Sequence, residues 1–299
     1  MKILTFDIED WFHILDHPST RSEAEWSNFE SRLETNVNRL LEMLTMRGQK
    51  AVFFCLGWVA LRHHHLIREI SDAGYEIASH SHAHQLVYEQ SPRQFERDLA
   101  DSIKAIQDAA GRRVRAYRAP GFSITQETTW AFETLASQGI EIDCSVFPAG
   151  RIHGGYKDFG SPEPCTISIA DTRIKEFPIN FFPFMGKRVI FSGGGYFRLL
   201  PYRVIRMMMA RAPYVMTYFH PRDFDPGQPM IKDLRVDRRL KSYVGIKGAF
   251  HKLQRLLDDF SFVDLNAALA NIDWGKAPVI VIRQDNGDAA GNLHKRSVV

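Results

Sequence analysis

A short apolar run, an ionisable residue at its end, and then apolar residues at helical spacing: this unit recurs along the first half of the chain. The runs are Ile3-Leu4-Thr5-Phe6, Ala51-Val52-Phe53-Phe54-Cys55-Leu56, Tyr75-Glu76-Ile77-Ala78, Val114-Arg115-Ala116-Tyr117 and Ile140-Glu141-Ile142. Between them, Leu33, Val37, Leu40, Leu41 and Leu44 predict a helix over about 29–47, closed by Gly48. A second helix is expected from His63 to Ala73. A third starts at Ser91-Pro92 and carries Phe95, Leu99, Ile103 and Ile106 to Gly111, and a fourth runs from Thr125 to Gln138. Strands joined by helical crossovers run parallel, so the class is α/β. Polar strand ends favour a barrel over an open doubly wound sheet, which stays possible.

Residues 147–200 break the pattern. Phe181-Phe182-Pro183-Phe184 and Ser192-Gly193-Gly194-Gly195-Tyr196 mark a loop-rich insertion that either shapes a substrate site or is a structural loop bundle, and the triple glycine lacks the spacing of a phosphate-cradling loop. Pro201 opens a helix whose arginines and methionines read as a packed element rather than a membrane-surface one. A strand over 214–219 ends at His220, a helix spans 245–260, and Phe262-Val263 is a last strand before a helix through Leu269. One domain is expected over 1–282, followed by a disordered tail over 283–299.

With 38 basic and 35 acidic residues, the charge of +3 is too balanced for nucleic-acid binding by bulk electrostatics. Cys55, Cys144 and Cys165 are odd in number and lack a C-x-x-C pair, which argues against a disulfide framework and for a reducing compartment. The start of the chain has no signal-peptide pattern and no apolar run is long enough to span a membrane, so a cytoplasmic location is expected.

The ionisable strand ends carry the chemistry. They are Asp7-Ile8-Glu9-Asp10, His80-Ser81-His82-Ala83-His84, Arg118, Asp143 and His220. His80 and His84 have a spacing that lets two imidazoles share a cation. Carboxylates as close as Asp7, Glu9 and Asp10 repel unless a cation or an arginine lies among them. Each cluster alone also fits a solvated loop or a helix cap. In a parallel barrel, however, the strand ends meet at one face, and together they supply a hydrolytic inventory.

Taken in order, these motifs resemble the carbohydrate esterase family 4 polysaccharide deacetylases with the NodB homology domain. The matching segments are Thr5-Phe6-Asp7, His80-Ser81-His82-Ala83-His84 for H-S-x-x-H, Arg118-Ala119-Pro120-Gly121-Phe122, Asp143-Cys144-Ser145 and Tyr218-Phe219-His220-Pro221. The resemblance covers about residues 1–265. Ser192 to Arg198, with the C-terminal helix, is similar to a subgroup encoded with exopolysaccharide export loci.

The resemblance implies an α/β fold that is a distorted, incomplete (β/α) barrel of about seven parallel strands. It also implies a hydrolase that removes N-acetyl groups from an N-acetylated sugar in a polysaccharide or oligosaccharide precursor, releasing acetate. Its metal would be Zn2+, or another divalent transition metal such as Co2+, held by His80, His84 and a carboxylate. Asp7 would be the general base, oriented by Arg118; His220 would be the general acid, held by Asp143. Trp11, Pro120 and Tyr196 are the substrate-binding candidates, with Phe12 and Tyr156 as further stacking surfaces. The partner is an N-acetylated glycan, with peripheral contact to a lipid-linked saccharide and no nucleic acid.

Two positions depart from the family pattern. Asp7 is followed by Ile8 rather than a second aspartate, which leaves Glu9 and Asp10 as candidate ligands; strand alternation puts Glu9 on the side of Asp7, while Asp10 in the turn is preferred. Arg222-Asp223 stands where an aromatic and a glutamate are expected. Hydrolysis of a small amide or ureide, as in allantoinase-like relatives, and glycan binding by a degenerate deacetylase are the competing readings.

Overall fold

The apolar runs fold as neighbouring strands pointing one way. In the computed structural model, which describes residues 1–15, 20, 22–184, 186–231, 234, 239 and 242–283, these are, in chain order, β1 (Lys2–Ile3), β2 (Thr5–Ile8), β3 (Val52–Cys55), β4 (Glu76–Ser79), β5 (Ala116–Tyr117) and β6 (Ile142–Asp143). β7 (Cys165–Ile169), β8 (Thr172–Glu176), β9 (Phe182–Phe184), β10 (Lys187–Val189), β11 (Val215–Met216) and β12 (Val279–Ile282) follow. The parallel order is β8-β6-β5-β4-β3-β2. Beyond β2 the row continues into the segment after β11: Asp7 N–H donates to the Phe219 carbonyl at 2.7 Å, and Phe219 N–H donates to the Thr5 carbonyl at 3.1 Å.

The row curls without closing into a ladder. Where β11 returns towards the chain leaving β8, the Tyr214 hydroxyl donates to the Pro178 carbonyl at 2.8 Å and Met216 N–H to Asn180 Oδ1 at 3.2 Å. Side chains bridge the gap that backbone pairing leaves, and the result is an incomplete α/β barrel. The stretch expected to be a loop-rich insertion contributes more order than its composition suggests. β7 runs antiparallel to β8, β12 runs parallel to β7, and β9 pairs with β10. The alternating Cys165-Thr166-Ile167-Ser168-Ile169 and its partner Thr172–Glu176 half-bury one hairpin that glycine and aromatic content around it obscures. The tail expected to be disordered lies, beyond Arg283, outside the described residues.

Strand alternation sorts the core into two layers. Ile3, Val52, Phe54, Ala78, Ala116, Ile142 and Met216 fill the barrel, whereas Leu4, Phe6, Phe53 and Cys55 face the surrounding helices. Those helices include α1 (Glu23–Trp26), α2 (Leu33–Met46), α3 (Gly57–Arg62), α4 (His64–Asp72) and α5 (Pro92–Ala110). α5 starts as its sequence requires: the Ser91 side chain caps Gln94 N–H, Gln94 returns the bond, and Pro92 fills the first turn. Cys55, Cys144 and Cys165 are buried free thiols. Among the described residues no helix is long and apolar enough to cross a membrane.

Glu76, at the start of β4, ties the last helix to the barrel. Its Oε2 accepts from the N–H groups of Leu265 and Asn266 at 2.9 and 3.3 Å. Burial, helped by Asp264, pushes its carboxyl up from 4.5 to about 7. Its proton is therefore held by the folded chain where the unfolded chain has lost it, so stability contributed by this group falls as pH rises from 4.5 to about 7. Glu76→Gln is expected to flatten that dependence: in urea unfolding, the variant should gain on wild type between about pH 5 and about pH 8. An unchanged difference at the two pH values would contradict it.

Candidate active site

β2 delivers its side chains by strict alternation. Thr5 and Asp7 point into the barrel, as Ile3 of β1 does, and Glu9, just past the strand, continues on the same side. Arg118, at the end of β5, lies fully buried across the barrel floor of the site. Its Nη1 donates to Asp7 Oδ1 at 2.6 Å and to Thr5 Oγ1 at 2.7 Å, and its Nε to the Cys144 carbonyl at 3.4 Å. The guanidinium rests 4.1 Å from the Phe54 ring centroid. A charge this deep needs a charged partner, and Asp7 is it. With Oδ1 engaged by Arg118, Oδ2 is the oxygen Asp7 presents to the site.

The histidine loop follows β4. His80 N–H donates to the Cys55 carbonyl at 2.8 Å, and α3 begins directly beneath the loop, where a Cβ on Gly57 would stand 2.4 Å from His82 Nδ1. Glycine is required there for the close approach. His80 Nε2 and His84 Nε2 both converge on Glu9 Oε1, at 2.9 and 3.0 Å. Burial opposes ionisation of Glu9, yet the charges of His84 and His220 and the bonds from His80 and His84 hold its carboxyl well below the usual range.

This trio suits a divalent cation. His80 Nδ1 lies 2.8 Å from the Arg118 carbonyl, which accepts only, so Nδ1 carries a proton and Nε2 is the nitrogen turned to Glu9. A cation between Nε2 and the carboxylate oxygen would be ligated by both. Donor atoms of Glu9, His80 and His84 lie within 4.8 Å of one another, as do those of Asp7, Glu9 and His220. Nitrogen and carboxylate donors in this ratio fit zinc or a neighbouring transition metal.

Asp10, preferred over Glu9 from the sequence, is placed elsewhere. Its Oδ1 accepts from Trp11 N–H at 2.8 Å, and its Oδ2 from Ser31 Oγ and from Arg32 N–H at 3.1 Å, where α2 starts. The carboxylate is spent on a helix entry, and burial pushes it up. The turn carries Asp10 away from the histidines, so Glu9 is the carboxylate that meets them.

Asp98, in the middle of α5, holds the histidine loop in shape. It accepts from the N–H groups of His82 and Ala83 at 2.9 and 3.0 Å, within a turn where Ser81 and His84 have φ of 70° and 52°. Left-handed backbone at two non-glycine residues persists only where neighbours fix it. Asp98→Ala is expected to weaken zinc binding about 10–100-fold in a chelator competition, with the melting transition retained. Equal zinc affinity in variant and wild type would show that the loop holds itself.

His220 closes the site from the end of the β11 segment. Its Nε2 lies 3.8 Å from Asp7 Oδ2 and 3.9 Å from Glu9 Oε1, and its Nδ1 lies 3.1 Å from Asp223 Oδ2. Burial works against its charge, but Glu9, Asp223 and Asp7 prevail and raise it to about 9. The aspartate that holds His220 is therefore Asp223, not Asp143 as expected. Asp143 and Glu176 are wholly buried and hydrogen-bonded to each other, and burial pushes both up, Glu176 well above the carboxylate range. Asp143 also accepts from Ser145 N–H at 3.2 Å. The sequence signal for Asp223 was its i+3 spacing from His220 across Pro221, which a single 3-10 turn converts into a contact.

The substrate-binding candidates divide. Trp11 is buried, stacked edge-on against Phe12 and Phe29, with its indole N–H donated to the Glu30 carbonyl at 3.0 Å. Phe12 and Pro120 are buried too, and Tyr156 packs on Phe159. Their rings serve packing and offer no free face. Tyr196, 51% exposed at the start of the helix Gly194–Leu199, retains one.

Residues 17–140 match the family model described as polysaccharide deacetylase, and residues 144–270 match a model described as a domain of unknown function, DUF3473. No curated protein matches the chain. Among solved structures, a provisionally assigned polysaccharide deacetylase from Mycobacterium smegmatis superposes with a TM-score of 0.65 at 19% identity, covering 99% of this chain and 94% of its own. A mutant CE4 family pseudoenzyme with restored enzymatic activity, from Bacillus anthracis, gives 0.50 at 14% identity over 90% and 67%. A family 4 carbohydrate esterase from Streptomyces lividans in complex with acetate gives 0.43 at 16% identity over 86% and 86%. Over residues 17–140 the chain is thus similar to polysaccharide deacetylases, and it has an α/β fold with a mostly parallel central sheet.

Proposed function

We propose that the protein is a metal-dependent N-deacetylase acting on an N-acetylated sugar in a polysaccharide or oligosaccharide precursor, in the manner of the subgroup associated with exopolysaccharide export. The observation that carries this reading is the convergence of His80 and His84 on Glu9, with Asp7 and His220 on the rim of the same space. Glu9, His80 and His84 would hold the cation, Zn2+ or a relative such as Co2+. When bound, such a cation supplies Lewis acidity to the acetyl carbonyl and acidifies water at the site.

The chain's own residues then divide the proton traffic. Asp7 Oδ2 takes a proton from the water that attacks the acetyl carbon, while Arg118 fixes the other oxygen. His220 donates from Nε2 to the amide nitrogen as the C–N bond breaks, and Asp223 on Nδ1 keeps the ring oriented and cationic. Acetate and a free sugar amine leave. Base and acid face the same gap from different strands, which is the arrangement that amide hydrolysis needs.

Mass spectrometry of reaction mixtures tests the reading. The zinc-loaded protein is expected to remove acetyl groups from N-acetylglucosamine oligomers and to leave allantoin intact. Turnover of the ureide with none of the oligomers would sink the glycan assignment.

A further inference from the structure

Resting on the deacetylase reading, we propose that Arg151 makes the rim of this site a subsite for an anionic group of the glycan, a carboxylate or a phosphate, beside the sugar that is deacetylated. Arg151 is exposed, yet its guanidinium is held against aromatic faces at 4.9 Å from the Phe122 centroid, 4.5 Å from Phe147 and 5.4 Å from Tyr218. The Tyr218 hydroxyl also accepts a hydrogen bond from it.

This cation is one ring away from the catalytic centre. Phe122 lies in the arginine loop, and its ring takes Arg118 at 5.8 Å as well as Arg151. Tyr218 stands two residues before His220 and shares its surroundings with the exposed Tyr196. Arg118 spends its charge on Asp7, but no carboxylate of the described residues pairs with Arg151. A stacked guanidinium keeps its N–H edge free, and that planar edge matches a carboxylate or phosphate with two parallel bonds. Stacking also fixes a side chain that would otherwise lose rotamer freedom on binding, so the cation is pre-organised. A neutral chain would find no use for it, whereas an acidic residue next to the N-acetyl sugar would.

The test compares steady-state kinetics on an N-acetylglucosamine tetramer, a hyaluronan tetrasaccharide and UDP-N-acetylglucosamine, for wild type and Arg151→Gln. Arg151→Gln is expected to raise KM for an acidic substrate about tenfold more than for the neutral tetramer, with kcat preserved and the difference shrinking in high salt. Arg151→Lys should restore only part of the loss. Dependence confined to hyaluronan identifies a carboxylate, and dependence confined to the nucleotide sugar identifies a phosphate. Equal effects on neutral and acidic substrates would overturn the proposal. Should no substrate turn over, calorimetric binding of the hyaluronan tetrasaccharide separates the two ideas. Binding lost in Arg151→Gln would keep the anion subsite and overturn the deacetylase reading, and binding indifferent to Arg151 would overturn the subsite.

Discussion

Glu9→Ala is expected to lower zinc affinity by at least about 100-fold, whereas Asp10→Asn should leave it within about threefold of wild type. The contrast follows from where the turn after β2 places the two carboxylates. Glu9 Oε1 meets both imidazole nitrogens at 2.9 and 3.0 Å, so removing it takes away one donor and the negative charge that attracts the cation. Asp10 bonds only to backbone and Ser31 at the entry of α2, and its loss is a capping loss of about 1 kcal/mol. Calorimetric zinc titration of the two variants decides. Binding that survives Glu9→Ala and disappears in Asp10→Asn would return the ligand to Asp10 and require the turn to refold around the metal.

The second large effect concerns the base. Asp7→Asn is expected to reduce kcat by about 10²–10⁴ while zinc stays bound, because the amide keeps the shape but takes no proton. The substitution also leaves Arg118 without its countercharge in a fully buried position, at a cost of about 3–5 kcal/mol. Melting curves and zinc stoichiometry therefore accompany the kinetics. Asp223→Asn serves as the companion: it preserves Arg118–Asp7 and is expected to lower kcat by weakening the hold on the His220 imidazolium. Folded, zinc-loaded Asp7→Asn with near wild-type kcat would remove Asp7 from the base position.

The strand ends were legible because parallel strands bring distant residues to one face. Asp7, His80, Arg118 and His220 each follow a short apolar run, and the structure sets them around one space. What the sequence could not supply was the direction in which short polar segments turn. Whether Glu9 or Asp10 meets the histidines depends on one residue of register past Ile8. The partner of His220 depends on a 3-10 turn, whereas the resemblance pointed to Asp143, whose own partner Glu176 comes from a hairpin that composition disguises as loop. Asp98 reads in sequence as one more acid on an amphipathic helix, and only tertiary packing points it at the histidine loop. Trp11 misled in the opposite direction: an aromatic beside a site suggests sugar stacking, but here its ring fills the core between Phe12 and Phe29.

Metal-dependent deacetylation by this constellation is tested most directly by acetate release from N-acetylglucosamine oligomers, using protein stripped with a chelator and titrated with zinc. The account predicts no acetate from the stripped protein and release that rises to a plateau as one zinc per chain is bound. Acetate release that is the same before and after stripping, or a chain that binds no zinc at all, would contradict it.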